Sequence, residues 1–213
     1  MAKELYIFSG LGADERVFHR LDFTGFAPNF IKWNIPHKNE NIQDYASRLI
    51  SQIKSENPVL IGLSFGGMMA IEIAKQIKTE KVILIASAKT RSEIPFYFRL
   101  AGRMGIHKLV PVQAYKRPHI LAPWIFGSNS IDENQLLKQI LLDTDPLFLK
   151  WAIHQVVTWR NQTILENIFH IHGSHDKLLP LRYVKSNIII PEGGHLITLN
   201  KFEDINRILK EEI

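Results

Sequence analysis

An α/β fold is predicted, with about six mostly parallel strands flanked by helices and one helical insertion. Three observations carry this reading. Short apolar runs alternate with segments of helical period, a Gly-x-Ser-x-Gly turn joins one such run to one such helix, and residues 88–160 have no strand-like alternation. Alternation of strands and helices implies a parallel sheet covered on both faces, because each parallel connection must cross over.

Taken in order, Leu5–Phe8 reads as the first strand, with a short helix near Ala13–Leu21, a strand over Phe30–Asn34 and a helix over Asn41–Ser55. In that helix Ile42, Tyr45, Ala46, Leu49 and Ile53 share a face. The strand Val59-Leu60-Ile61 leads to a helix reaching about Ile77, and Lys81–Ile85 is the next strand. The pattern resumes with strands Ile168–His172 and Asn187–Ile190. A helix from about Asn200 to Ile213 closes the chain, with Phe202, Ile205, Ile208 and Leu209 inward. Residues 1–87 and 161–213 therefore form the core, and 88–160 a helical cap inserted into one compact domain.

Within the insertion, Ser130-Ile131-Asp132-Glu133 reads as a capping box, and Asp145-Pro146 as an N-cap followed by a first-turn proline. Turns at Pro111 and Pro118 separate earlier short helices. The insertion holds ten Lys or Arg against five Asp or Glu, so the whole net charge of +5 resides there. Lys89, Arg91, Arg99, Arg103, Lys108, Lys116 and Arg117 carry most of it. Two uses compete with a plain solvated face: attraction of an anionic substrate, and docking of Ile94-Pro95-Phe96-Tyr97-Phe98 on a membrane surface. The excess is modest and no recognition motif accompanies it, so nucleic acid is not an expected partner.

Chemistry concentrates elsewhere. Gly62-Leu63-Ser64-Phe65-Gly66 sits between an apolar run and a helical pattern, and such a turn exposes a serine hydroxyl above the sheet. The glycines stand where side chains would collide, and the next helix aims its unpaired N–H groups at the same point. A serine nucleophile needs a base, and the base needs an orienting acid. Asp176 follows the strand ending at His172, and His195 lies in Pro191-Glu192-Gly193-Gly194-His195 before the last helix. All three fall at carboxyl ends of strands, where open parallel sheets bind ligands.

These pieces, with Ser9-Gly10-Leu11-Gly12 after the first strand and His172-Gly173-Ser174-His175-Asp176, resemble the α/β-hydrolase superfamily from Leu5 to about Ile208. The resemblance implies Ser64 as nucleophile, His195 as general base and then acid, and Asp176 as the group that fixes the His195 tautomer. It further implies an oxyanion hole from the backbone N–H groups of Leu11 and Phe65. Many relatives carry His-Gly where this chain has Ser9-Gly10, which leaves the backbone donor intact but changes the loop's hydrogen bonding. The strand after the elbow helix ends in Ala86-Ser87-Ala88 without a carboxylate, so the acid is Asp176, and His175 reads as a loop residue.

The expected activity is hydrolysis of a carboxylic ester with a small-to-medium acyl or aryl group through an acyl-enzyme. Thioester hydrolysis, C–C hydrolysis and acyl transfer use the same triad, and a ligand-binding member without turnover belongs to a different class. Substrate contacts are expected from Gly10, His37, Trp124 and Trp151, with the insertion's aromatic residues serving either a pocket or its own small core. No cofactor is expected. With no cysteine and no H-E-x-x-H helix, no metal site is expected either, and His170 and His172 read as packing. No apolar run is long enough to span a bilayer, which makes the cytoplasm the expected location.

Overall fold

The structure, a computed structural model, describes residues 2–111, 114, 122–128 and 130–213. The turn expected at Pro118 and the cations Lys116 and Arg117 lie outside the described residues. The strands are β1 (Lys3–Phe8), β2 (Phe26–Phe30), β3 (Val59–Leu63), β4 (Lys81–Ile85), β5 (Ile168–Gly173) and β6 (Ile188–Ile190). They form one sheet in the order β2-β1-β3-β4-β5-β6, every pair parallel.

Residue alternation divides the core between the two faces of this sheet. Tyr6, Phe8, Leu60, Val82 and Leu84 point to one side, against α1 (Ile42–Leu49) and α2 (Phe65–Ala74). Leu5, Ile7, Val59, Ile61, Ile83 and Ile85 point to the other, against the last helix α8 (Phe202–Glu212). The helix α2 is buried almost all round, as expected of one apolar on every face. The helix α1 stops at Leu49 and continues as a 3-10 turn, with its start capped by the Asn41 side chain accepting from the Asp44 N–H.

One strand lies earlier in the chain than the periodicity suggests. The sequence places it over Phe30–Asn34, but the ladder runs from Phe26 to Phe30 beside β1. Pro28 argues against a strand in general and is tolerated here because β2 is the sheet edge. Ile31 N–H still donates to the Ile7 carbonyl, and beyond it the backbone turns to side chains: Lys32 N–H donates to Gln52 Oε1 and Asn34 N–H to the Tyr45 hydroxyl.

Among the described residues, 88–160 forms helices and no strand. These helices are α3 (Phe96–Met104), α4 (Ala122–Phe126), α5 (Ile131–Asp143) and α6 (Pro146–Thr158). Ser130 Oγ accepts from the Glu133 N–H at 3.1 Å, and Asp145 caps α6 through the Leu147 and Phe148 N–H groups with Pro146 in its first turn. The segment is tied to the core by indoles: Trp159 Nε1–H donates to the buried Glu72 carboxylate at 2.8 Å and Trp151 Nε1–H to the Glu40 carbonyl at 2.7 Å. A short helix, α7 (Ile197–Asn200), precedes α8. Among the described residues no helix is long and apolar enough to cross a membrane.

Candidate active site

Ser64 occupies the turn between β3 and α2 at φ 53°, ψ −120°, a region that costs a non-glycine residue about 1–3 kcal/mol. The surrounding structure enforces it. A Cβ at Gly62 would stand 2.4 Å from the Gly67 Cα, and one at Gly66 would stand 2.3 Å from the carbonyl oxygens of Phe8 and Ser9. Glycine is required at both places because the neighbouring atoms are backbone and cannot turn aside. The Ser64 N–H donates to the Ile85 carbonyl at 2.9 Å, and Ser87 Oγ–H donates to the Ser64 carbonyl at 2.6 Å.

Two loops bring the other groups to this turn. Ser64 Oγ–H donates to His195 Nε2 at 2.8 Å, and His195 Nδ1–H donates to Asp176 Oδ2 at 2.7 Å. The carboxylate only accepts, so the Nδ1 proton is assigned and Nε2 is left to take the serine hydroxyl. The second oxygen, Asp176 Oδ1, accepts from the Leu178 and Leu179 N–H groups at 2.9 Å each. The His195 loop is held by Phe126, whose carbonyl accepts from the His195 and Leu196 N–H groups at 3.1 Å. Gly194 packs against backbone, since a Cβ there would stand 2.7 Å from the Gly127 Cα.

Burial of Asp176 would by itself raise its pKa. The charge and hydrogen bond of His195, then His172 and the Leu179 N–H, outweigh that and hold the carboxyl below its ordinary range. His172 lies in the same buried patch: its Nε2–H donates to the Leu179 carbonyl at 2.7 Å and stands 3.6 Å from Asp176 Oδ2. Burial depresses its pKa although Asp176 works the other way. His175 is exposed and makes no part of the Ser64–His195–Asp176 chain.

The loop after β1 lies against the serine, since a Cβ at Gly10 would sit 3.6 Å from Ser64 Cβ. Among the described residues the Leu11 N–H has no acceptor, and Phe65 is the first residue of α2, where N–H groups have no partner inside the helix. Ser9 Oγ–H donates to the Ala13 carbonyl at 2.6 Å and accepts from Trp33 Nε1–H at 2.9 Å, bracing this loop where many relatives have histidine.

The remaining sequence-derived contacts divide. Trp124 lines a cavity of about 610 Å³ together with Tyr97, Asp176, Lys177, Arg182 and Gly194, and Lys177 Nζ sits 3.8 Å from its ring centroid. Trp151 instead packs among Tyr45, Phe65 and Phe148, with its ring 4.3 Å from that of Tyr45. His37 is exposed beside Glu40. Neither Trp151 nor His37 lines this cavity or a second one of about 310 Å³ between Trp33 and Phe148. Sequence reasoning missed Ser87, Phe126 and Trp33 as supports; each acts through tertiary contact, and only Trp33, an indole needing an acceptor near the sheet, carries a compositional hint.

A hydroxyl that donates to an imidazole whose far nitrogen faces a carboxylate can pass its proton to that ring while attacking an electrophilic carbon. Solved structures share the fold. An esterase from Thermogutta terrifontis superposes with a TM-score of 0.76 at 15% identity, covering 98% of this chain and 88% of that one. A bromoperoxidase from Bacillus anthracis gives 0.70 at 14% identity, covering 100% and 92%. A structure described with carboxylesterases of Nitrososphaera gargenis gives 0.69 at 16% identity, covering 99% and 89%. No curated protein matches the chain in sequence. The family model described as "Alpha/beta hydrolase family" matches residues 3–207, and the chain belongs to that family.

Proposed function

We propose that this protein is a serine hydrolase of carboxylic esters, with Ser64 as nucleophile, His195 as general base and then acid, and Asp176 holding the His195 tautomer. The observation that carries the reading is the unbroken hydrogen-bond chain from Ser64 to Asp176, 2.8 and 2.7 Å, at a strained strand-to-helix turn. Ser64 Oγ attacks the ester carbonyl as His195 Nε2 takes its proton. The oxyanion forms against the Leu11 and Phe65 N–H groups, and each such donor is worth roughly 10²–10³ in turnover. His195 then protonates the departing alcohol, and water, activated by the same nitrogen, releases the acid from the acyl-enzyme.

Residues 88–160 serve in this reading as the cap that sets specificity over the 1–87 and 161–213 core. Trp124 offers an aryl or acyl contact, Gly10 permits the oxyanion loop to approach Ser64, and the place of the reaction is the cytoplasm. The substrate is a small molecule, and the chemistry requires no cofactor.

The test is intact mass after exposure to a fluorophosphonate, with Ser64→Ala as control. One adduct per chain on the wild type and none on the variant is the expected result, together with a fall of about 10⁴ or more in turnover of p-nitrophenyl esters. An adduct that persists in Ser64→Ala overturns the assignment of the nucleophile, and absence of any ester turnover by the labelled-competent wild type overturns the ester reading.

A further inference from the structure

We propose that the outer face of α3 docks the protein on the surface of an anionic lipid bilayer. Which face of α3 is outer is fixed by its contact with α6. Gly102 lies so close that a Cβ there would stand 2.2 Å from the Val157 carbonyl oxygen, and Phe98 packs against the core. The helix cannot roll without losing that contact.

The opposite face exposes an apolar stripe. Phe96, Leu100 and Met104, spaced four apart and so stacked along one side, are 57%, 50% and 65% exposed, and Ile106 and Leu109 continue the patch past the Gly105 cap, Leu109 at 83%. Contiguous exposed apolar surface of this kind marks an interaction site, whereas single exposed apolar residues do not. Arg103 lies one turn along from Leu100 on the exposed side and Lys108 follows, and among the described residues neither has an ion-pair partner, whereas Arg99 is half-buried with its Nε enclosed. Elsewhere Lys3, Arg16, Arg48, Lys75, Lys81 and Lys210 meet carboxylates, while Lys32, Lys78 and Arg182 have no ion pair among the described residues, so it is the place of Arg103 and Lys108 beside the apolar stripe that sets them apart.

Apolar residues flanked by unpaired cations specify the partner. A second copy of this chain would bring its own arginines against these, because a two-fold contact sets like patches face to face. An anionic bilayer supplies both complements, acyl chains for Leu100 and Met104 and lipid phosphates for Arg103 and Lys108. At nine residues α3 is about 14 Å long, far short of the roughly 30 Å hydrocarbon core, so it lies in the interface. Tyr97 of the same helix lines the cavity that reaches Asp176 and Gly194, so docking would bring that cavity to the lipid surface.

Co-sedimentation with extruded vesicles tests this with the whole chain and reads partition, not turnover, so its outcome is separate from that of the ester reading. The wild type should pellet with phosphatidylcholine vesicles containing phosphatidylglycerol about tenfold more strongly than with phosphatidylcholine alone, and less so as salt rises. Leu100→Glu should lower the partition about tenfold, and Arg103→Glu with Lys108→Glu should remove the dependence on phosphatidylglycerol. All three side chains are exposed or half exposed, and thermal melts verify that the variants fold. Wild type that stays in the supernatant with anionic vesicles, or Leu100→Glu that pellets as well as wild type, overturns the proposal. A concentration-dependent dimer dissolved by Leu100→Glu, seen by light scattering without vesicle binding, overturns it in favour of a second copy.

Discussion

The elbow around Ser64 and the helical insertion treat side chains in opposite ways. At the elbow, space is the scarce quantity: Gly62, Gly66 and Gly67 are each bounded by atoms within 2.6 Å of where a Cβ would be. In the insertion, Phe96, Leu100, Met104 and Leu109 stand in the open, and among the described residues Arg103 and Lys108 have no ion-pair partner. The difference teaches where positional accuracy is stored. Ser64 is fixed at Gly62 and Gly66 by backbone packed on backbone, which cannot relax, while the outer face of α3 has large apolar side chains exposed.

The sharpest way to break this contrast is to change one side chain on each side of it. Gly66→Ala forces a Cβ to 2.3 Å from two carbonyl oxygens of the β1 exit and should cost more than about 3 kcal/mol, with soluble yield and ester turnover lost together. In the insertion, Leu109→Ala removes an exposed side chain and should move stability by no more than about 0.5 kcal/mol. Denaturant melts of Gly66→Ala and Leu109→Ala compare the two regions directly. Equal shifts would mean that the elbow is not uniquely constrained.

A smaller effect is expected one layer behind Ser64, His195 and Asp176, at His172. Its Nε2–H holds the Leu179 carbonyl, and Leu179 N–H in turn holds Asp176, so the histidine fixes the carboxylate through the loop. His172→Phe leaves that buried carbonyl without a donor, at about 1–3 kcal/mol. On the ester reading kcat should fall about tenfold with KM little changed, because a loosened acid misaligns His195 without touching substrate. His172→Gln, which can present an N–H at a similar reach, should recover most of the loss. Failure of glutamine to do better than phenylalanine would leave His172 as packing alone.

The same contrast explains what the sequence made legible. Five of the six strands and the Ser64, Asp176 and His195 loops could be read because each rests on a local rule: apolar runs, a glycine-flanked serine, and polar residues at strand ends. The edge strand was displaced because Gly25 and Pro28 look like a turn, and only the sheet edge makes Pro28 admissible. The places of Trp151 and Trp124 had no such rule. Both occur in helical segments rich in apolar residues, and only tertiary packing puts Trp151 against Tyr45 of α1 and Trp124 beside Lys177 at the cavity. The supports from Phe126 and Ser87 were likewise invisible, since a carbonyl and a hydroxyl carry no periodic signal.

The smallest expected effect separates the two buried histidines of β5 from the rest of the core. His170 is fully buried, its ring is 5.3 Å from that of His172, and neither of its nitrogens has a hydrogen-bond partner of good geometry. Burial, with His172 and Lys89 adding to it, holds its pKa well below 6.5. The folded ring therefore stays neutral while the unfolded one takes up a proton as pH falls through 6.5. Below that point the unfolded chain binds more protons, so stability is complete at higher pH and declines as the solution becomes more acidic, until the folded ring itself titrates. His170→Leu, of similar volume, should remove about one proton from that slope. Whatever the repacking costs at neutral pH appears equally at every pH and drops out of the comparison. Urea melts of both proteins at intervals downward from pH 7 read the slope, and parallel lines would show that His170 is protonated, or solvated, in the folded core.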